Sequence, residues 1–358
     1  MMKRINISRK FAAGILVCLM SLMIGMQLMG CGGKAKEPAA ITDQAGRSVK
    51  LPQRVEKIAS LWPEATRVVY ALGEQNKLVG VDSASRTCPV LTAAFPGIKD
   101  LKDLGSAIGA MGGGGTFNME TLAEASPDIV FMSTDAKEIA DKVQENLRIP
   151  VVCVRIHPML KGKHSFNLFP IIGKCLGKEK EGSEMKNFLE KELSKITSVT
   201  SSIPTSEKPK VYQAFAQDLL KTIGVFDVIS LAGGKSVAEG GAKGAAWYSV
   251  SFEDVLRWDP EIVVLHGFGR FNPQDLYADP GWQKIKAVKD KRVFKLTLGW
   301  TGWDPGGFVV NVMQNAKVFH PKKFTDLNVE KEANFIFERL YGVKGLYTKL
   351  KHKYGLSL

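Results

Sequence analysis

The amino-acid sequence predicts an α/β protein made of two similar lobes joined by a helix, with a ligand cleft between the lobes. Three observations predict it. Short apolar runs rich in β-branched residues alternate with helical patterns from residue 57 onward, as in a parallel sheet. One pattern occurs twice, NMETLAEASPDIV at 118–130 and SFEDVLRWDPEIV at 251–263, each a short helix, a proline, an acid and an apolar strand. Between the two copies, residues 165–203 carry no strand-like run.

The chain starts with ten residues that include Lys3, Arg4, Arg9 and Lys10, then an almost wholly apolar stretch over 11–30. This is the layout of a secretory signal, and Leu28-Met29-Gly30-Cys31 resembles a bacterial lipobox, in which the cysteine is freed and acylated. The other reading is a transmembrane anchor, since the run nearly reaches spanning length. The expected order is signal peptide 1–30, tether 31–40, first lobe 41–165, linking helix region 166–203, and second lobe 204–358 with C-terminal helices.

In the first lobe, KIASL (57–61), LVGVD (78–82), DIVFMS (128–133) and PVVCVRI (150–156) read as buried strands. Helices are expected over Pro63–Leu72 with Gly73 as stop, Met119–Ala125 and Ala136–Leu147. Met185, Phe188, Leu189, Leu193 and Ile196 then follow at helical spacing. The second lobe repeats the pattern: PKVYQAF (209–215), a helix over Phe226–Ala232 closing at Gly233-Gly234, EIVVLH (261–266) and RVFKLT (292–297). Val309, Val312, Met313 and Ala316 share one helical face, and Val329, Ala333, Ile336, Phe337 and Leu340 another.

Composition bounds the function. The chain has 358 residues, 45% hydrophobic and 24% charged, enough for two cored domains and unlike a disordered chain. Its net charge is +13, and +9 remains without the four basic residues of the leader. Such an excess favours anionic partners. An extracytoplasmic address sets nucleic acid aside. Five cysteines are too few for a disulfide scaffold. No P-loop, HExxH, GxSxG or paired CxxC occurs, so no catalytic residues, cofactor or metal are expected.

ITDQAGRSVKLPQRVEKIASLWPEATRVVYALG (41–73), the two Glu-to-Pro-Asp/Glu-Ile-Val segments, and SLAGGKSVA (230–238) resemble the iron-chelate and cobalamin solute-binding proteins of ABC importers. The resemblance runs from about 41 to 345. It implies two Rossmann-like lobes with parallel sheets joined by a single long helix. It also implies a lipid-anchored, monomeric, extracytoplasmic protein that delivers a metal chelate (ferric siderophore, haem or corrinoid) to a permease dimer. Two departures stand out: Arg67 replaces an acid common in the family's first helix, and Ser236 replaces its asparagine.

The candidate site residues follow. GAMGGGG at 109–115 would let Gly113 and Gly114 offer bare N–H groups to an acidic ligand, or is simply a flexible loop. Arg155, His157, His266 and Arg270 sit at or just beyond strand ends, where ligands collect in open sheets; each has the alternative of bonding a loop. Metal ligation by the two histidines would need a further ligand. Trp247, Tyr248, Trp300 and Trp303 offer aromatic area for a bulky ligand, or belong to the core, with Trp62 as a wall from the other lobe. The resemblance implies a cleft role for Trp247, and permease docking for Glu120 and Glu253, which otherwise read as helix-start acids. Two other functions compete: binding of an oxyanion such as molybdate or tungstate, and a metallocluster enzyme, which would need cysteines at the lobe interface.

Overall fold

The computed structural model describes residues 40–106, 117–155, 166–224, 227–241, 247–296 and 304–358. The first lobe begins with an antiparallel pair, β1 (Ala40–Thr42) and β2 (Ser48–Lys50). It continues with β3 (Ile58–Ser60), α1 (Pro63–Ala71), β4 (Leu78–Val81), α2 (Ser83–Thr87), α3 (Pro89–Ala94) and β5 (Lys102–Asp103). Next come α4 (Met119–Ala125), β6 (Ile129–Ser133), α5 (Lys137–Leu147) and β7 (Val151–Val154). The five strands β5-β4-β3-β6-β7 form a parallel sheet in that order.

Helices α6 (Leu168–Leu176) and α7 (Glu179–Thr200) lead to the second lobe. They pack closely because Gly173 and Gly182 face the partner backbone. A Cβ on Gly182 would lie 2.4 Å from the Phe169 carbonyl oxygen, and one on Gly173 2.5 Å from that of Lys178. The 22-residue α7 spans about 33 Å at 1.5 Å per residue. Glu179 and Glu181 lie in its first turn, where the helix dipole favours acids.

The second lobe holds β8 (Lys210–Gln213), β9 (Lys221–Ile223), α8 (Asp227–Leu231), β10 (Lys235–Ser236), β11 (Trp247–Ser249), α9 (Phe252–Trp258) and β12 (Ile262–His266). Then follow α10 (Pro273–Ala278), α11 (Lys286–Lys289), β13 (Val293–Leu296), α12 (Pro305–Phe319), α13 (Val329–Tyr341) and α14 (Leu346–Tyr354). Strands β10-β8-β12-β13 form a second parallel sheet, and β9 pairs with β11 in an antiparallel ribbon.

Both main sheets are covered on two faces, and period-two alternation divides their side chains between cores. Phe131 and Val152 point to a central core, while Val130 and Cys153 point to an outer one. Val264 joins the same central core, and Val263 a third cluster. The central core therefore belongs to both lobes, and Ala40–Leu358 forms one compact unit. Helix α12 differs from the one-faced pattern in the sequence: it is buried all round except at Lys317, because it packs against α7, α8, α13 and β13 together.

The sequence repeat is a structural repeat. Asn118 caps α4 by accepting from the backbone N–H groups of Glu120 and Thr121. Ser251 caps α9 through a reciprocal bond with Asp254. Each helix then ends in a left-handed residue, Ser126 or Asp259, before its proline and its strand.

Candidate functional site

Ligands of parallel sheets collect beyond the carboxyl ends of the strands. Among the described residues a buried ion pair joins these edges of the two lobes. Arg67, on the helix that follows β3, places Nε 3.3 Å from Asp304 Oδ2, on the segment that follows β13. The two side chains are 2% and 4% exposed. Arg67 also donates to the Pro63 carbonyl at 2.8 Å and to Cys88 Sγ at 2.9 Å. Asp304 accepts the Tyr341 hydroxyl at 2.8 Å on Oδ2, and the Gly307 N–H at 2.8 Å on Oδ1. Burial alone would lower the Arg67 pKa, but the Cys88 sulfur and the Asp304 carboxylate overcome it and hold the guanidinium charged.

Four cationic side chains thus stand near the strand ends, and their partners differ. Arg67 is committed to the lobe contact. Arg155, just after β7, is paired with Asp135, and its N–H donates to Gln44 Oε1 at 2.9 Å. Lys295, in β13, donates to Asn272 Oδ1 at 2.9 Å, and burial lowers its pKa. Arg270, in the loop after β12, is exposed and stacks 4.6 Å from the ring of Phe271.

His266 ends β12 as the alternation requires, but it is buried. Its Nδ1 accepts the Phe268 N–H at 3.3 Å, and its ring meets Phe215 edge-on. Burial, aided by Lys295, pushes its pKa down to about 4, so it stays neutral. In the first lobe Asp82, the cap of α2, accepts from Ser85 N–H and Oγ. Burial outweighs these bonds and lifts its pKa to about 6.

Tyr248 lies in β11, donates its hydroxyl to the Ala238 carbonyl at 2.7 Å, and covers Gly241. Trp247 pairs with Ile223 in the same ribbon, and its side chain lies outside the described residues. Trp62 is 4% exposed and part of the central core, so it supports the first lobe from inside it. Gly113, Gly114, His157, Trp300, Trp303 and Cys31 lie outside the described residues. Glu120 and Glu253 are both exposed, each the second residue of its helix.

Among the described residues no group of His, Cys, Asp and Glu could hold a metal ion. Cys88, Cys153 and Cys175 are buried, and burial pushes the thiols of Cys153 and Cys175 up to about 11 and 12. These are features of structural thiols, not of cluster ligands.

Sequence reasoning noted Arg67 as a family departure but missed its contact with Asp304, which joins positions 237 apart. It also missed Lys295 and Asp82, whose one available signal was a charge interrupting or ending an apolar strand run.

Residues 58–297 match the periplasmic binding protein family. The chain is 25% identical to the molybdate-binding protein MolA of Haemophilus influenzae, covering 90% of this chain and 96% of the relative. It is 23% identical to YvrC of Bacillus subtilis, an uncharacterized ABC transporter substrate-binding lipoprotein, covering 88% of this chain and all of the relative. The structure of MolA bound to molybdate superposes with a TM-score of 0.72, covering 86% of this chain and 98% of that one at 21% identity. These relatives are binding proteins, not enzymes. The chain belongs to the periplasmic binding protein family and is a solute-binding protein of an ABC transporter.

Proposed function

We propose that this protein captures a small metal-containing anion, foremost a tetrahedral oxyanion such as molybdate or tungstate, and delivers it to its permease. The observation that carries this reading is the placement of cations near the strand ends of both lobes, with exposed Arg270 hydrogen-bonded to no described side chain. Arginine N–H groups suit oxyanions in charge and geometry. Molybdate is what the MolA relative binds by its name. The lack of a metal-ligating cluster among the described residues agrees with an anion and not a bare cation.

A second reading, a ferric siderophore, haem or corrinoid, is favoured by the aromatic set Trp247, Tyr248, Trp300 and Trp303 and by the resemblance over 41–345. Calorimetric titration with molybdate, tungstate, sulfate, haemin and a ferric siderophore separates the two. Saturable binding of molybdate or tungstate alone supports the oxyanion. Binding of haemin or the siderophore alone overturns it.

We also propose lipid attachment at Cys31, an extracytoplasmic location, a monomeric state, the lobe boundaries at 41–165, 166–203 and 204–358, and permease docking through Glu120 and Glu253. The lipobox-like run supports the first two, and YvrC's description as a lipoprotein agrees. The exposure of both glutamates at equivalent helix starts supports the docking.

A further inference from the structure

From the buried contact between the lobes, we infer that Arg67 and Asp304 are positioning residues for capture: together with Tyr341 they fix the spacing of the two strand-end edges before any ligand arrives. The inference rests on the solute-binding role, not on the identity of the cargo.

Three features carry it. The pair is the meeting point of elements that set the edges, since α1 starts three residues after β3 ends and Asp304 caps the helix that follows β13. Its bonds run in several directions. Arg67 reaches Asp304, Pro63 and Cys88, while Asp304 takes Arg67, Tyr341 and Gly307. A change in lobe angle that moved α1 relative to α12 would break the Arg67–Asp304 bond and strand two opposite charges out of water, which is costly. Apolar packing around the pair lacks this directionality. Tyr70 meets Tyr341 with ring centroids 5.8 Å apart, a contact that tolerates sliding in a way that the charge pair does not.

Such a latch predicts a ligand-free protein with one narrow distribution of lobe spacing. The test places spin labels at exposed Lys142→Cys and Lys284→Cys, one per lobe, and reads the distance distribution by pulsed dipolar spectroscopy without ligand. In otherwise wild-type protein we expect one narrow peak. Arg67→Met with Asp304→Asn removes both charges of the pair, so that neither is left facing a missing partner, and keeps a capping side chain at 304. In it the peak should broaden about twofold or shift, as an unlatched two-state element would. Tyr341→Phe removes a single oxygen, is expected to fold, and should broaden the peak to a lesser degree. Unchanged peaks in both variants, or in Tyr341→Phe alone should the double variant not fold, would overturn the inference. A broad peak in the wild type would do so as well. Molybdate calorimetry on the same samples reports the cargo separately, so a failed oxyanion reading leaves the distance result intact.

Discussion

Ser126 and Asp259 leave their helices in the same left-handed conformation, with φ of 47° and 42°. Each is followed by a proline, an acid and a strand whose alternate residues enter the same central core. The equivalence puts Glu120 and Glu253 at matching places on the two lobes. Like charges so placed suit a two-fold symmetric partner, because each half can meet an identical basic pocket. Glu120→Arg with Glu253→Arg should abolish uptake while molybdate affinity and thermal midpoint change little. Normal transport by the double variant would reject the docking role.

Arg270 bears on the cargo. Arg270→Ala should weaken molybdate binding by about 1.5–3 kcal/mol, the scale of a hydrogen bond to a charged group. The thermal midpoint should hold, because this exposed side chain supports no core. Calorimetry and thermal melting on one preparation check both parts.

His266 and Asp82 pull the pH profile in opposite directions. The His266 pKa falls from 6.5 to about 4 in the fold, so the unfolded chain binds the extra proton between those values and acidification destabilises. Asp82 rises from 3.8 to about 6, so the folded state binds the extra proton over a similar window and acidification stabilises. Each effect is about 3 kcal/mol at its limit. Wild-type stability should be nearly flat from pH 4 to 6.5. Asp82→Asn should expose a fall toward acid pH, and His266→Gln a rise. Urea midpoints at pH 4.5 and 7 measure the three slopes, and parallel slopes in all three would refute the assignment.

Gly182 tests the connection between the lobes. With the Phe169 carbonyl oxygen 2.4 Å from a built Cβ, Gly182→Ala must push α6 and α7 apart. The expected cost is about 1–3 kcal/mol by denaturant titration, the usual scale of overpacking.

Cys31→Ser tests the anchor. The variant should carry no acyl group, whereas mass spectrometry of the wild-type N-terminus should find one. An unmodified wild-type cysteine would remove the lipoprotein proposal.

The strands that matter most were legible because burial on both faces writes near-continuous Val and Ile runs. KIASL, DIVFMS, PVVCVRI and EIVVLH all hold the strands expected of them. The ribbons β1–β2 and β9–β11 were not legible, since AIT, SVK and KTI are too short and mixed to show a period. The lobe contact was invisible for another reason. Periodicity reports which face of an element is apolar, and nothing in it tells Arg67 that its partner lies 237 residues away. Trp62 shows the converse limit: an aromatic beside a strand end has the same sequence context whether it lines a cleft or fills a core, and here it fills the core.

The shared central core has a consequence for the order of folding. α13 packs on α1, and α14 on α3, so elements near the end of the sequence cover those near its beginning. Tyr341 and Leu340 complete a surface that Tyr70 and Val68 begin. The first half cannot finish burying its apolar inner face until the last two helices have been made. A growing chain is thereby kept from locking into a finished half-structure. If the lipobox-like run does send the chain across a membrane, that delay would preserve an unfolded, exportable form until synthesis nears its end.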